Sequence, residues 1–140
     1  MNLFNRKTLK RHLHRIPEHA EHRAVLEAWA ELITSQRIFG LKETALRGDF
    51  TAKIIENVLG YRGPAAGAEY TVAAEQAILR GSVDLALGRF GGKTADIVAP
   101  FELKGAATRD LDAIMPGRNK SPVQQAWEYA MNAPGVKWVL

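Results

Sequence analysis

Three side chains in the second half of the sequence carry the chemistry that a metal ion and an anionic substrate need. Glu102 and Lys104 stand two residues apart in Phe101-Glu102-Leu103-Lys104-Gly105, so on an extended strand they project from one face. Asp84 lies in the preceding alternating segment, Ser82-Val83-Asp84-Leu85-Ala86-Leu87. If the two segments pair as a hairpin, both carboxylates reach one cation. Hard divalent ions such as magnesium take a few carboxylate oxygens and keep several waters, which leaves positions for a phosphate oxygen and an attacking water. Lys104 beside them can orient or deprotonate that water, or balance charge that develops on phosphorus. The same spacing also suits an ordinary salt bridge on an amphipathic strand, and the surrounding elements bear on the choice.

A second group lies nearer the C-terminus. Ser121, Pro122 and, three residues after the serine, Gln124 form a Ser-x-x-Gln capping box, which commits Gln124 to the start of a helix. Gln125 and Tyr129 are one turn apart on that helix and share a face. Gln125 can then hold a phosphate or a metal-bound water, or amide and phenol can simply bond neighbouring backbone. Trp127 reads as core. Arg118 and Lys120 just upstream, with Lys10 and Arg11 in an N-terminal run of basic residues, are candidate phosphate contacts, with solvated surface as the competing reading. Asp96 is discounted, since six residues of strand separate it from Glu102 by roughly 20 Å. His12, His14, His19 and His22 have no second cluster to complete four ligands, so zinc is not expected.

These residues need a scaffold, and 140 residues with 46% hydrophobic and 24% charged content describe one soluble domain with a real core. The absence of cysteine removes disulfides, thiolate zinc sites, iron-sulfur ligation and cysteine nucleophiles, and fits a cytoplasmic, reducing setting. No apolar run approaches the roughly 18 residues of a membrane span, and the N-terminus is charged where a secretory signal turns apolar. No membrane partner is expected. The net charge is +4, and Arg6, Lys7, Lys10, Arg11 and Arg15 all precede the first acid, Glu18. Such an arm suits a polyanion, most commonly nucleic acid.

Periodicity predicts a helix over residues 18–36, with Val25, Leu26, Trp29, Leu32 and Ile33 at helical spacing. A second helix over 41–59 carries Leu46, Phe50, Ile54 and Val58 on one stripe and stops at Gly60. A short strand is expected at 70–74. In the hairpin that follows, Val83, Leu85 and Leu87 face one way and Asp84 and Ala86 the other, with Gly88, Gly91 and Gly92 as the turn. On the next strand Ile97, Ala99, Phe101 and Leu103 oppose Val98, Pro100, Glu102 and Lys104. Pro100 belongs at a bulge or on an unpaired side, because it cannot donate to a ladder. A polar loop over 106–120 leads to the capped helix, which ends at Gly135, and 136–140 is strand-like. The chain stops inside that last segment, which is either an edge strand or the cut end of a longer protein.

In order and placement, Val83-Asp84 followed by Glu102-Leu103-Lys104 resembles the PD-(D/E)XK nuclease superfamily, with Val83 where the family usually has proline. More closely, Phe50 through Gly60-Tyr61, Asp84-Leu85-Ala86-Leu87-Gly88, Phe101 through Gly105, and Ser121-Pro122-Val123-Gln124-Gln125-Ala126-Trp127-Glu128-Tyr129-Ala130 resemble the N-terminal nuclease region of type IIG-like bifunctional restriction-modification enzymes. The resemblance covers residues 41–140. It implies an α/β (α+β) restriction-endonuclease-like core, a small mixed β-sheet flanked by helices; the charge and periodicity of residues 1–40, which the resemblance does not reach, give a basic helical extension before it. Asp84 and Glu102 would be metal ligands for Mg2+, with Mn2+ as a substitute, and Lys104 the catalytic lysine. The family's additional glutamate on the helix before the sheet would be Glu43, which lies on the inward stripe with Leu46, Phe50 and Ile54, whereas Asp49 and Glu56 do not. Its Gln-x-x-x-Tyr pattern would be Gln125 and Tyr129. The implied partner is double-stranded DNA, cut to 5'-phosphate and 3'-hydroxyl ends, with methyltransferase and target-recognition domains C-terminal in the parent chain. A catalytically silent DNA-binding or assembly module of the same fold is the alternative, and an RNA phosphodiesterase a further one.

Overall fold

The alternation of apolar and polar residues after position 70 becomes a three-stranded antiparallel sheet in the computed structural model, which describes residues 5–13, 19–78, 81–133 and 135–137. Strands β1 (Tyr70–Ile78), β2 (Gly81–Phe90) and β3 (Asp96–Phe101) lie in that order. The first strand runs past its expected end at 74 because β2 pairs with it as far as Ile78 opposite Gly81. Across β2 and β3, Leu85 stands opposite Phe101, Ala86 opposite Pro100 and Leu87 opposite Ala99. The architecture is α+β. The expected mixed sheet is antiparallel throughout its described strands. The Lys137 N–H donates to the Val98 carbonyl at 3.0 Å, which lays the chain after the last helix beside β3. The rest of the expected terminal strand, 138–140, lies outside the described residues.

Two apolar clusters form on the sheet. Val72, Leu85, Leu87 and Ala99 pack with Ile55, and Ala73, Ile78, Val83, Ala86, Phe90 and Ile97 pack with Ala133. Val83 therefore leaves the cluster of Leu85 and Leu87, contrary to strict alternation. The break coincides with Glu75, which takes φ 49° in the middle of β1 and whose flanking residues pair with those flanking Asp84. A left-handed residue inside a strand interrupts the pleat, so the faces exchange on either side of it. Gly88 is not a turn residue but lies within β2, where the register with β3 shifts. A Cβ there would collide with the Asp96 carbonyl, so only glycine fits this bulge. Pro100 sits on β3, an outer strand, close to the same bulge.

Helix α1 (Arg6–Leu13) precedes α2 (Ala20–Thr34). The inner side of α2 presents Val25, Trp29 and Leu32, and Trp29 meets Phe50 edge-on at 5.8 Å, while Leu26 and Ile33 remain exposed. The helix expected over 41–59 forms as α3 (Glu43–Phe50), continued directly by a π-helical stretch, Thr51–Val58. There the Leu59 N–H donates to the Ile54 carbonyl, five residues back. The wider turn displaces the apolar stripe by one position, so the residue buried against the sheet is Ile55 rather than Ile54. Gly60, at φ 75°, ends the helix as its sequence position predicts. Helix α4 (Pro122–Asn132) starts with the complete capping box: the Ser121 hydroxyl accepts from the Gln124 N–H at 3.1 Å, and the Gln124 side chain accepts from the Ser121 N–H at 2.9 Å. Trp127 is not core. It is 59% exposed, because α4 turns Tyr129 and Ala133 toward the sheet instead.

Candidate active site at the end of the sheet

Strand β3 ends at Phe101, one residue before the acidic member of Glu-Leu-Lys. The register that pairs Leu85 with Phe101 would, continued by one step, set Asp84 opposite Glu102. A side chain takes over from the ladder there: the Leu103 N–H donates to Asp84 Oδ2 at 2.8 Å. The carboxylate from β2 is thereby tied to the middle residue of the motif on the neighbouring segment. Lys104 Nζ donates to Glu102 Oε1 at 2.6 Å, so the two side chains share one side although they lie beyond the strand.

The environment of these groups is that of a partly closed site. The Glu102 side chain is 6% exposed and that of Lys104 16%. Burial pushes the Glu102 carboxyl above the ordinary glutamate value of 4.5; the Lys104 bond and charge oppose this, Asp84 adds to it and Arg118 subtracts from it. A buried carboxylate facing a second carboxylate is the arrangement that a divalent cation relieves, and both donors are hard oxygens suited to magnesium. Among the described residues no three acidic or histidine side chains gather as a ready cage. Glu43, at the first turn of α3, places its Oε2 on the Gly105 N–H at 2.7 Å, bracing the backbone one residue after Lys104. Its carboxylate is beside the motif without joining the other two.

The sequence reading missed one member. Arg47 Nη1 donates to Asp84 Oδ1 at 2.7 Å, and its Nη2 lies 3.4 Å from Glu75 Oε1. The available signal was spacing: position 47 is one turn after Glu43 and three residues before Phe50, so it flanks the inward stripe of α3. A cleft lined by Trp29, Glu43, Leu46, Arg47, Leu103 and Lys104 joins this helix to the motif.

Helix α4 approaches from the other apolar cluster. Gln125, only 7% exposed, accepts from Arg118 Nη1 at 3.0 Å and donates to the Tyr129 hydroxyl at 3.3 Å. Gln125 and Tyr129 therefore share a face, as their spacing requires, and Gln125 holds Arg118, whose charge is felt at Glu102. Gln125, Tyr129, Arg118 and Lys120 line one cleft, of about 470 Å³, whereas Glu102 and Lys104 line another, of about 520 Å³, walled by Leu111, Val123 and Trp127. Lys120 is engaged by Glu128. Lys10 and Arg11 lie on exposed α1. Asp96 pairs with Arg89 at the far end of β3 from Glu102. His14 is outside the described residues, and His19 pairs with Glu21. No helix among the described residues is long and apolar enough to cross a membrane. Comparison with protein-family models, with characterised proteins and with solved structures yields no match, so the functional reading rests on this geometry and on the motifs that build it.

Proposed function

We propose that the chain is a metal-dependent DNA endonuclease domain of the PD-(D/E)XK kind, the cleavage module of a cytoplasmic restriction-modification enzyme. The observation that carries the reading is the bond from the Leu103 N–H to Asp84 Oδ2, which joins the carboxylate of one strand to the middle of Glu102-Leu103-Lys104. Asp84 and Glu102 would hold Mg2+ or Mn2+, and a cation there would supply Lewis acidity and an acidified water. Lys104, already donating to Glu102, is placed to stabilise charge on a phosphate drawn to the site. Arg118, held in position by Gln125, is a cationic arm for a neighbouring phosphate of double-stranded DNA. Recognition and methylation would belong to further domains of the parent protein. The test is nicking of supercoiled plasmid by the full parent protein. Cleavage should require Mg2+ or Mn2+ and disappear in Glu102→Gln; metal-independent or undiminished cleavage would exclude this site.

A second reading, a silent DNA-binding module, draws on a specific observation: Arg47 and Lys104 already neutralise the two central carboxylates. Such a module would bind DNA with an affinity indifferent to Mg2+ and Mn2+, and would not cut.

A further inference from the structure

Resting on the nuclease reading, we infer that Arg47 is a positioning residue that holds Oδ1 of Asp84 and gives it up when a divalent cation takes that oxygen. The two Asp84 oxygens are held in different ways. Oδ2 accepts from a backbone N–H, that of Leu103, whose position follows from the strand register. Oδ1 accepts from the tip of a long side chain that is 28% exposed. The first contact is part of the fold; the second can be exchanged without moving backbone.

The exchange is forced by charge. A guanidinium on a carboxylate forms a strong charge-assisted bond, and a divalent cation held by Asp84 and Glu102 would compete with it for the same oxygen. Two positive centres cannot both crowd one oxygen at low cost. Arg47 also has somewhere to go, since its other terminal nitrogen already lies 3.4 Å from Oε1 of Glu75, whose side chain is 71% exposed. Glu75 is the residue with left-handed backbone in β1, and its neighbours pair with those of Asp84, so the alternative acceptor is built into the adjacent strand. The apparent metal affinity is consequently lowered by the fraction of chains in which Arg47 has let go.

Isothermal titration of Mn2+ into the full chain, without DNA, measures this directly. Arg47→Met should tighten the Kd by about tenfold, or about 1.4 kcal/mol. Lys93→Met, on the exposed turn between β2 and β3, is the charge-matched control and should change the Kd by less than about threefold. Equal or weaker binding by Arg47→Met overturns the inference, as does equal tightening in Lys93→Met. Should Arg47→Met fail to fold, the unchanged chain gives the answer by nuclear magnetic resonance: Mg2+ must shift the Arg47 guanidinium resonances, and resonances that stay in place while Mg2+ binds overturn it too. Absence of any Mn2+ or Mg2+ binding by the unchanged chain and both variants removes the nuclease reading itself, an outcome distinct from binding that ignores Arg47.

Discussion

At the scale of single residues, the site sets function against stability. Lys104 is largely buried and is the cation bonded to a still more buried Glu102. Lys104→Ala should therefore lower single-turnover cleavage by at least about a hundredfold. It should also cost about 1–3 kcal/mol of stability, because Glu102 is left without its partner. Melting curves beside cleavage rates separate the two effects; an inactive variant of unchanged stability would mean that the Glu102 contact is weak in solution. Glu102 itself makes stability depend on pH. The folded chain holds its proton more tightly than the unfolded chain, so the favourable contribution is complete below 4.5 and is lost as pH rises through the elevated folded value. With chelator present, melting temperatures across that range should fall for the natural chain relative to Glu102→Gln. A constant difference between the two would remove burial as the dominant influence on this carboxyl.

Element by element, the features that were legible in the sequence are those fixed by short-range rules. The box at Ser121 and Gln124, the helix stop at Gly60 and the pairing of 82–87 with the strand before Glu102 each depend on residues close in the chain or on a strict period of two. The features that were not legible depend on distant partners. Arg47 reaches Asp84 across 37 positions, and the π-helical stretch exists where Ile55 meets Val72, Leu85 and Ala99. Glu75 broke the alternation that would have kept Val83 with Leu85, and no local pattern announces a left-handed residue that is neither glycine nor asparagine. The helix register is open to a direct check. Ile55→Ala should cost about 2–4 kcal/mol, and Ile54→Ala at most about half of that, by denaturant unfolding; the reverse order would restore the regular α-helical stripe. In α4 the adjacent glutamines separate in a similar way. Gln124→Ala should cost about 0.5–1 kcal/mol through the weakened cap and leave cleavage near normal. Gln125→Ala, which unties Arg118 and Tyr129, should cost about 1–2 kcal/mol and slow cleavage by a factor of about ten. Loss of cleavage in Gln124→Ala alone would mean that the phosphate-facing position is Gln124.

For the molecule as a whole, the question is how a modest net charge of +4 is distributed if the proposed partner is a polyanion. Near the site, cations are spent internally: Arg47 on Asp84 and Glu75, Lys104 on Glu102, Lys120 on Glu128. Their contribution to long-range attraction is small, since each is paired with an acid at close range. Helix α1 differs, for its eight residues hold Arg6, Lys7, Lys10 and Arg11 with no acid among them, and these four are exposed. On the proposed nuclease reading, counterion release would give α1 the sequence-independent part of DNA affinity and leave the positioning of a phosphate to the cations around the site. The double substitution Lys10→Ala with Arg11→Ala should lower the slope of log affinity against log salt by about 2 for the full protein on duplex DNA. Folding should be unaffected, because exposed side chains on a solvent-facing helix contribute within about 0.5 kcal/mol. Cleavage at saturating DNA and low salt should persist, since neither residue touches Asp84, Glu102 or Lys104. A slope that does not change would take α1 off the DNA and leave the attraction to the cations around the site.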